Sequence, residues 1–310
     1  MSMCNSAIVL IIFNRPNETK RVLEQIKIAK PKKLYIIADA PRKNVDGEIE
    51  LNKSCKDLID NINWECEVIK NYAEENLGCG LRISSGLSWV FSFEEQAIIL
   101  EDDCLPSPAF FTFCDQMLEK YKNENSVFHI SGTRWNEEFN TENDYFFSRY
   151  AHIWGWATWS RAWNKYDYHL NSWNHILSKN RLKNHFQGAV EFEFWNEKFK
   201  NTFLSTKKTT WDYQWQFTMS INNKLCIIPS KNLISNIGVS GTHLNNLKLS
   251  STKYFNRKVY NDFIVLNEPK DLKYNNSFDK YHFRKHFYNS ITKRIGNKLH
   301  ILKIKLLSNS

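Results

Sequence analysis

Ala97-Ile98-Ile99-Leu100-Glu101-Asp102-Asp103 is the stretch that decides the fold. A short apolar run rich in β-branched side chains reads as a strand buried on both faces. Three carboxylates follow it without a spacer. Leu105-Pro106-Ser107-Pro108 then opens a helix, with Ser107 at the N-cap and Pro108 at the first helical position. Phe110, Phe111, Phe113, Cys114, Met117 and Leu118 supply its apolar face. Adjacent carboxylates repel, so a fold that lines them up usually provides a cation to offset them. The plainer alternative is a solvated acidic turn.

Toward the N-terminus the same grammar repeats. Ala7 to Phe13 is a continuous apolar run stopped by Asn14-Arg15-Pro16-Asn17, and a helix follows with Val22, Leu23 and Ile26 on one face and Asn17 or Thr19 near its cap. Lys33 to Ala38 is a second buried strand ending at Asp39-Ala40-Pro41-Arg42. A polar helix over roughly 47–62, a third strand over Cys66 to Lys70, a turn at Asn76-Leu77-Gly78-Cys79-Gly80 and a helix through Arg82, Leu87 and Val90 lead back to the acidic strand. Strands alternating with helices predict an α/β fold, a mostly parallel sheet covered on both faces. Ligands bind such sheets outside the carboxyl ends of the strands, where Asn14-Arg15, Asp39 and Glu101-Asp102-Asp103 all fall. Asp39 there is either a simple turn or an acceptor for a ribose or base. Arg15 and Arg82 suit a diphosphate, Arg82 being otherwise a surface helix residue.

Downstream lie a strand over Val127 to Ser131, the Trp- and Gly-dense Ile153 to Trp159, a helical stretch over Asn171 to Ser205, and a helix opening at Trp211-Asp212-Tyr213-Gln214-Trp215. Leu225 to Pro229 and Leu233 to Ile237 are late strands. Asp212 in a first helical turn is either a residue placed by the helix dipole or a general base. His243, in the loop Gly238-Val239-Ser240-Gly241-Thr242-His243, is either a surface residue or a ligand for metal or phosphate. The seven Cys show no Cys-x-x-Cys pair, which argues against zinc and for reduced thiols in a cytoplasmic protein. The net charge of +9 implies an acidic partner, but its concentration near the C-terminus argues against a nucleic-acid groove. Eleven Trp fit either a Trp-rich core or sugar-stacking faces.

The ordered motifs resemble the nucleotide-diphospho-sugar transferases of the GT-A glycosyltransferase fold, in particular bacterial family 2 relatives of the HlpA-like kind. Leu100 to Phe111, Trp154 to Trp159, Trp211 to Trp215 and Gly238 to His243 follow the motif order of the mannosyl-glycoprotein N-acetylglucosaminyltransferases. The resemblance covers about residues 5–245. It implies a transferase domain over 1–245 and a basic extension over 246–310. It implies that Asp103 binds Mn²⁺ or Mg²⁺, with His243 as a second candidate. Glu101 and Asp102 would face the ribose and donor sugar, and Asp39 the nucleoside. Asp212 would be the catalytic base, standing alone where the Golgi enzyme has two adjacent acids. Phe13, Asn14, Arg15 and Arg82 are expected on the donor, and Trp154, Trp156 and Trp211 along the acceptor. The implied reaction moves a sugar from a nucleotide-diphosphate donor, UDP-sugar favoured, to a saccharide hydroxyl with inversion, as in bacterial surface polysaccharide synthesis. The competing readings are a sugar-phosphate nucleotidyltransferase, which normally carries a glycine-rich loop that Asn14-Arg15-Pro16-Asn17 lacks, and a noncatalytic carbohydrate-binding protein.

From Tyr281 onward Phe283, Phe287, Ile291, Ile295, Leu299, Leu302 and Leu306 recur at helical spacing among Lys and Arg. Such a basic amphipathic helix either docks on an anionic membrane face, where a lipid-linked acceptor would sit, or packs on the domain.

Overall fold

The computed structural model describes residues 4–178, 181–186, 188–238 and 254–288. The first four strands are those read from the sequence: β1 (Ala7–Ile12), β2 (Lys33–Ala38), β3 (Glu67–Tyr72) and β4 (Gln96–Glu101). Helices α1 (Pro16–Ala29), α2 (Glu48–Asp60) and α3 (Cys79–Val90) connect them, and all neighbouring pairs are parallel in the order β3-β2-β1-β4. β1 and β4 are wholly or almost wholly buried because helices cover both sheet faces.

Beyond β4 the chain gives up the simple alternation. A short β5 (Cys104–Pro106) leads into α4 (Pro108–Lys120), then β6 (Val127–Ser131), β7 (Tyr145–Ser148) and β8 (Trp156–Trp159). Helices α5 (Ser160–Trp163), α6 (Trp173–Ser178), α7 (Arg181–His185), α8 (Ala189–Leu204) and α9 (Asp212–Ile221) precede β9 (Leu225–Pro229) and β10 (Ile234–Asn236). The main sheet has eight strands in the order β3-β2-β1-β4-β8-β6-β9-β7. β8 lies antiparallel between β4 and β6, while β10 pairs with β5 in a separate ribbon. The fold class is the predicted one, α/β with a mixed, mostly parallel sheet.

Three points differ from the sequence reading. The Trp- and Gly-dense segment ends in a central strand whose Trp156 and Trp159 are buried in the core, while Trp154 before it stays partly exposed. Ser107 and Pro108 stand at the start of α4 as read, yet the Ser107 hydroxyl makes no capping bond and finds no partner. The helical stretch over 171–205 divides, among the described residues, into α6, α7 and α8.

Two apolar clusters sandwich the sheet. One joins Ile8, Leu10, Ile12 and Leu100 to Val22 and Ile26 of α1, Cys55 and Ile59 of α2, and Phe110 and Met117 of α4. The other joins Val9, Ile11 and Ile99 to Ile83 and Leu87 of α3 and Trp211, Trp215 and Met219 at α9. A third cluster, with Trp173, Trp195, Phe199 and Phe217, fills the helical region.

Residues 254–288, within the stretch set apart above as an extension, enter all three clusters. Tyr260, Phe263 and Val265 pack on the first, Phe278 belongs to the second and Phe283 to the third. Helix α10 (Asn276–Phe283) is anchored by Asp279, which is fully buried. Asp279 accepts from the Ser148 hydroxyl at 2.6 Å and from Arg149 Nε at 3.0 Å, and Arg149 also pairs with Glu191 of α8 at 3.2 Å. Phe283 is buried and Phe287 packs beside it, so the start of the amphipathic tail lies on the domain. Its remainder, from Ile291 to Leu306, lies outside the described residues. No helix among the described residues is long and apolar enough to cross a membrane.

Burial sets a testable acid sensitivity. His129 of β6 is fully buried, with Nδ1 accepting from Trp215 Nε1 at 3.1 Å and the other ring nitrogen 3.0 Å from His152 O. Burial pushes its pKa down from 6.5 to about 4. A depressed folded-state pKa contributes stability that is present above the unfolded value and lost as pH falls toward the folded one. Thermal melts of the wild type should therefore weaken between pH 6.5 and about 4, His129 accounting for roughly 3 kcal/mol at the acid limit. His129→Gln should be less stable at pH 7 yet lose less over that interval. Parallel pH curves for the two proteins would contradict this.

Candidate functional site

β4 delivers Glu101 at the sheet's carboxyl edge, and Asp102 and Asp103 follow in the turn to β5. Arg15 occupies the N-cap position of α1, which begins at Pro16, one turn earlier than a Thr19 cap implies. Thr19 instead donates its hydroxyl back to Arg15 O at 2.7 Å. This start turns Arg15 toward the acids. Its Nη1 lies 2.7 Å from Asp102 Oδ1 and 3.2 Å from Asp103 Oδ2. Asp102 also accepts the Phe13 backbone N–H at 3.1 Å, which locks β1's end to β4's end.

One guanidinium thus serves two of three neighbouring carboxylates. Burial raises the pKa of Glu101, and Asp103 and Asp102 raise it further, with Arg15 opposing. Burial also raises that of Asp102, against the pull of Arg15 and the Phe13 N–H. The cluster keeps an excess of negative charge that a cation would relieve. No group of three or more His, Cys, Asp or Glu among the described residues is arranged to enclose a metal. Two adjacent carboxylates beside a partly compensated charge are the number of protein ligands that a hard divalent cation takes when phosphate oxygens and water complete its shell.

Asp212 reaches the same edge from the opposite sheet face to α2. The first turn of α3 packs backbone to backbone on residues 208–210: a Cβ at Gly80 would sit 2.7 Å from Thr210 O and 2.9 Å from Lys208 O. Only glycine permits that approach, and it brings α9's first residue close enough to Glu101 for their charges to interact. Cys79, exposed at the first position of α3, interacts with both charges: crowding by the surrounding atoms raises its thiol pKa, and Glu101 and Asp212 raise it further. Burial raises the pKa of Asp212, opposed by its own and Tyr213's N–H groups and by Lys198. A carboxylate made more basic, within charge range of Glu101, is chemically suited to accept a proton.

Gly238 packs against Asp103. A Cβ there would lie 2.3 Å from Asp103 Oδ2, so this backbone rests directly on the acid. Ile237 N–H donates to Asp103 O at 2.8 Å, and Gly238 N–H to Asn236 Oδ1 at 2.9 Å. His243 lies outside the described residues.

Several expected contacts are used up structurally. Asp39 is 6% exposed, and its carboxylate accepts the N–H groups of Ala40, Leu77 and Gly78 at 3.0, 2.9 and 2.8 Å. It fixes the turn into α3 and has no free face for a nucleoside. Arg82 is buried, with Nε on Ala38 O at 3.0 Å and Nη2 on Asn71, so it ties β2 to β3 rather than facing a diphosphate. Trp156 is 1% exposed, stacked on Trp211 at 5.3 Å and on His129 at 4.9 Å, and Trp211 is 3% exposed. Both are core residues and cannot offer a face to a sugar. Trp154 is partly exposed, packed 5.0 Å from Trp135 and 5.9 Å from Phe255.

The sequence reading passed over Arg42, Glu48, Cys79 and Lys198. Arg42 and Cys79 follow the ends of β2 and β3, so the strand-end rule that selected Asp39 covers them too. Glu48 and Lys198 lie on helices and carry no such signal.

No protein-family model matches the chain, and no curated protein matches it. Solved structures are similar at low identity. A UDP-glucose pyrophosphorylase complexed with UDP-glucose shares 10% identity at TM-score 0.36, covering 73% of this chain and 90% of that one. The inositol-1-phosphate CTP transferase from T. maritima shares 9% at TM-score 0.38, covering 74% and 86%. The galactosyltransferase LgtC, in complex with donor and acceptor sugar analogs, shares 7% at TM-score 0.35, covering 72% and 86%. At these TM-scores the likenesses carry no argument about activity.

Removing Arg15 leaves Asp102 buried without its cation, and breaking such a pair from one side costs about 3 kcal/mol or more. Arg15→Met should lose that amount in urea unfolding at pH 7.5. A loss near zero would mean that water already screens the pair.

Proposed function

We propose that this chain is a nucleotide-sugar-dependent glycosyltransferase acting at the carboxyl edge of β4. The observation that carries this reading is the meeting of Glu101, Asp102 and Asp103, compensated by Arg15 alone among the contacts described above, with Asp212 of another helix near enough to Glu101 for their charges to interact. A surface acidic turn does not need an arginine locked beneath it and a fourth carboxylate brought across from the other sheet face.

Asp103, with Glu101 beside it, would hold Mn²⁺ or Mg²⁺. Bound there, the ion would offset the charge of a donor diphosphate as the nucleoside diphosphate departs. Arg15 holds Asp102 and Asp103 in fixed orientation, so the acids need little rearrangement on binding. Asp212 takes the proton from an acceptor hydroxyl. The hydroxyl oxygen forms the new bond to the anomeric carbon while the bond to the diphosphate oxygen breaks and the leaving group keeps its electron pair. Attack from the face opposite the leaving group inverts the anomeric configuration. Trp154 is the remaining tryptophan of the three with a surface to offer a saccharide acceptor. A UDP-sugar donor, a role in surface polysaccharide synthesis and docking on an anionic membrane belong to the same proposal.

Two experiments test it. Thermal melts with UDP, GDP and CDP, each with and without Mn²⁺, should show stabilisation by one nucleotide that requires both the metal and Asp103, since a ligand that binds only the folded state raises the melting temperature. No shift with any nucleotide, or an undiminished shift in Asp103→Ala, would end the reading. In a transfer assay Asp212→Asn should lose at least about 100-fold in rate, the scale of a positioned base, while its nucleotide affinity stays near wild type. Loss of nucleotide binding in that variant would take Asp212 out of the catalytic role.

A further inference from the structure

Arg42 and Glu48 stand beside the acid cluster and have no part in the chemistry above. Glu48, 1% exposed, accepts from Arg42 N–H at 2.7 Å, from Arg42 Nε at 2.9 Å and from Asn14 Nδ2 at 3.1 Å. Arg42 Nη2 completes a forked pair with the same carboxylate. The fork fixes the guanidinium plane, which lies over the Phe13 ring with Cζ 5.9 Å from the centroid. The Arg42 side chain keeps 40% of its surface exposed. Phe13 in turn donates its N–H to Asp102. Ring, locked cation and acids thus form one continuous row along the ends of β2, β1 and β4.

A carboxylate this deeply buried costs desolvation, and here its bonds serve to hold one partly exposed arginine in one orientation. A planar cation held in one orientation within cation–π range of a phenyl ring, on a side chain that stays partly exposed, suits a flat π system. The layout of the site says which one. Asp212 belongs to α9, whose Trp215 and Met219 pack on one sheet face, while Glu48 belongs to α2, whose Cys55 and Ile59 pack on the other. A diphosphate at the acids with its sugar directed toward Asp212 leaves the nucleoside to run to the α2 side. Asp39, the expected nucleoside contact, is already committed to backbone N–H groups.

We propose that the Phe13–Arg42 pair is the nucleobase shelf, the base stacking on the outer face of the Arg42 guanidinium. This rests on the nucleotide-sugar reading, and it makes Arg42 a binding residue for the base and not for the phosphates.

The test is calorimetric titration of UDP and of inorganic pyrophosphate, each with Mn²⁺, into the full-length wild type, Arg42→Ala, Arg42→Lys and Phe13→Leu. Arg42→Lys keeps a cation for Glu48 but has no plane, and Phe13→Leu leaves the Arg42–Glu48 pair intact, so neither depends on tolerating a stranded buried acid. The expected result is UDP binding weakened about tenfold in both arginine variants, the scale of one base stack, with pyrophosphate affinity unchanged. Phe13→Leu should show a smaller loss of the same selectivity. Unchanged UDP affinity in Arg42→Lys overturns the shelf, as does an equal loss for pyrophosphate, which would make Arg42 a phosphate contact. Wild-type protein that binds pyrophosphate as tightly as UDP overturns the shelf and leaves the acid-cluster reading standing. Binding of neither overturns both.

Discussion

Three consecutive carboxylates at the end of a buried strand repel one another, and the rest of the structure is arranged around that repulsion. Arg15 is the immediate answer, its guanidinium lodged against Asp102 and Asp103. Its position follows from Pro16, which starts α1 directly after β1 and leaves the preceding residue at the helix end. The Phe13 N–H reinforces the join between two neighbouring parallel strands. The compensation is incomplete, and an excess of negative charge at a sheet's carboxyl edge is a standing attraction for a cation with its own phosphate ligands.

Close packing then decides which groups share the edge. The backbone contact at Gly80 draws the start of α9 toward α3, and the backbone at Gly238 presses on Asp103. Both approaches tolerate no side chain. Together they bring a carboxylate from a distant part of the chain into charge range of Glu101 and press the backbone against Asp103. Residues 254–288 stabilise this arrangement from the far side, with Asp279 and Arg149 joining α10 to the end of β7 and Glu191 joining α8 to the same arginine.

The tryptophans show how composition can mislead about function. Trp156, Trp163, Trp211 and Trp215 pack against one another and against His129 in a single buried aromatic block. Their abundance is explained by an antiparallel strand, β8, that inserts beside β4 and must be covered by α5 and α9. Large rings fill that space with few conformational losses, and no sugar is needed to account for them.

Local patterning alone dictates the parallel half of the sheet, because apolar runs of β-branched residues separated by amphipathic helices have few other ways to bury their surface. It also determined that Asn14-Arg15, Asp39 and the acids sit at strand carboxyl ends, since strand direction follows from chain order in a βαβ unit. It did not determine what those side chains touch. Asp39 and Arg82 look free in the chain and are spent on backbone groups. Asp212 stands 109 residues after Asp103 by the numbering and yet comes near enough to Glu101 for their charges to interact. β7, β8 and the pairing of β5 with β10 were equally illegible, because antiparallel insertion joins residues far apart in the chain through backbone hydrogen bonds that no local pattern records. Only tertiary packing chose which polar groups would satisfy the backbone and which would remain available for chemistry.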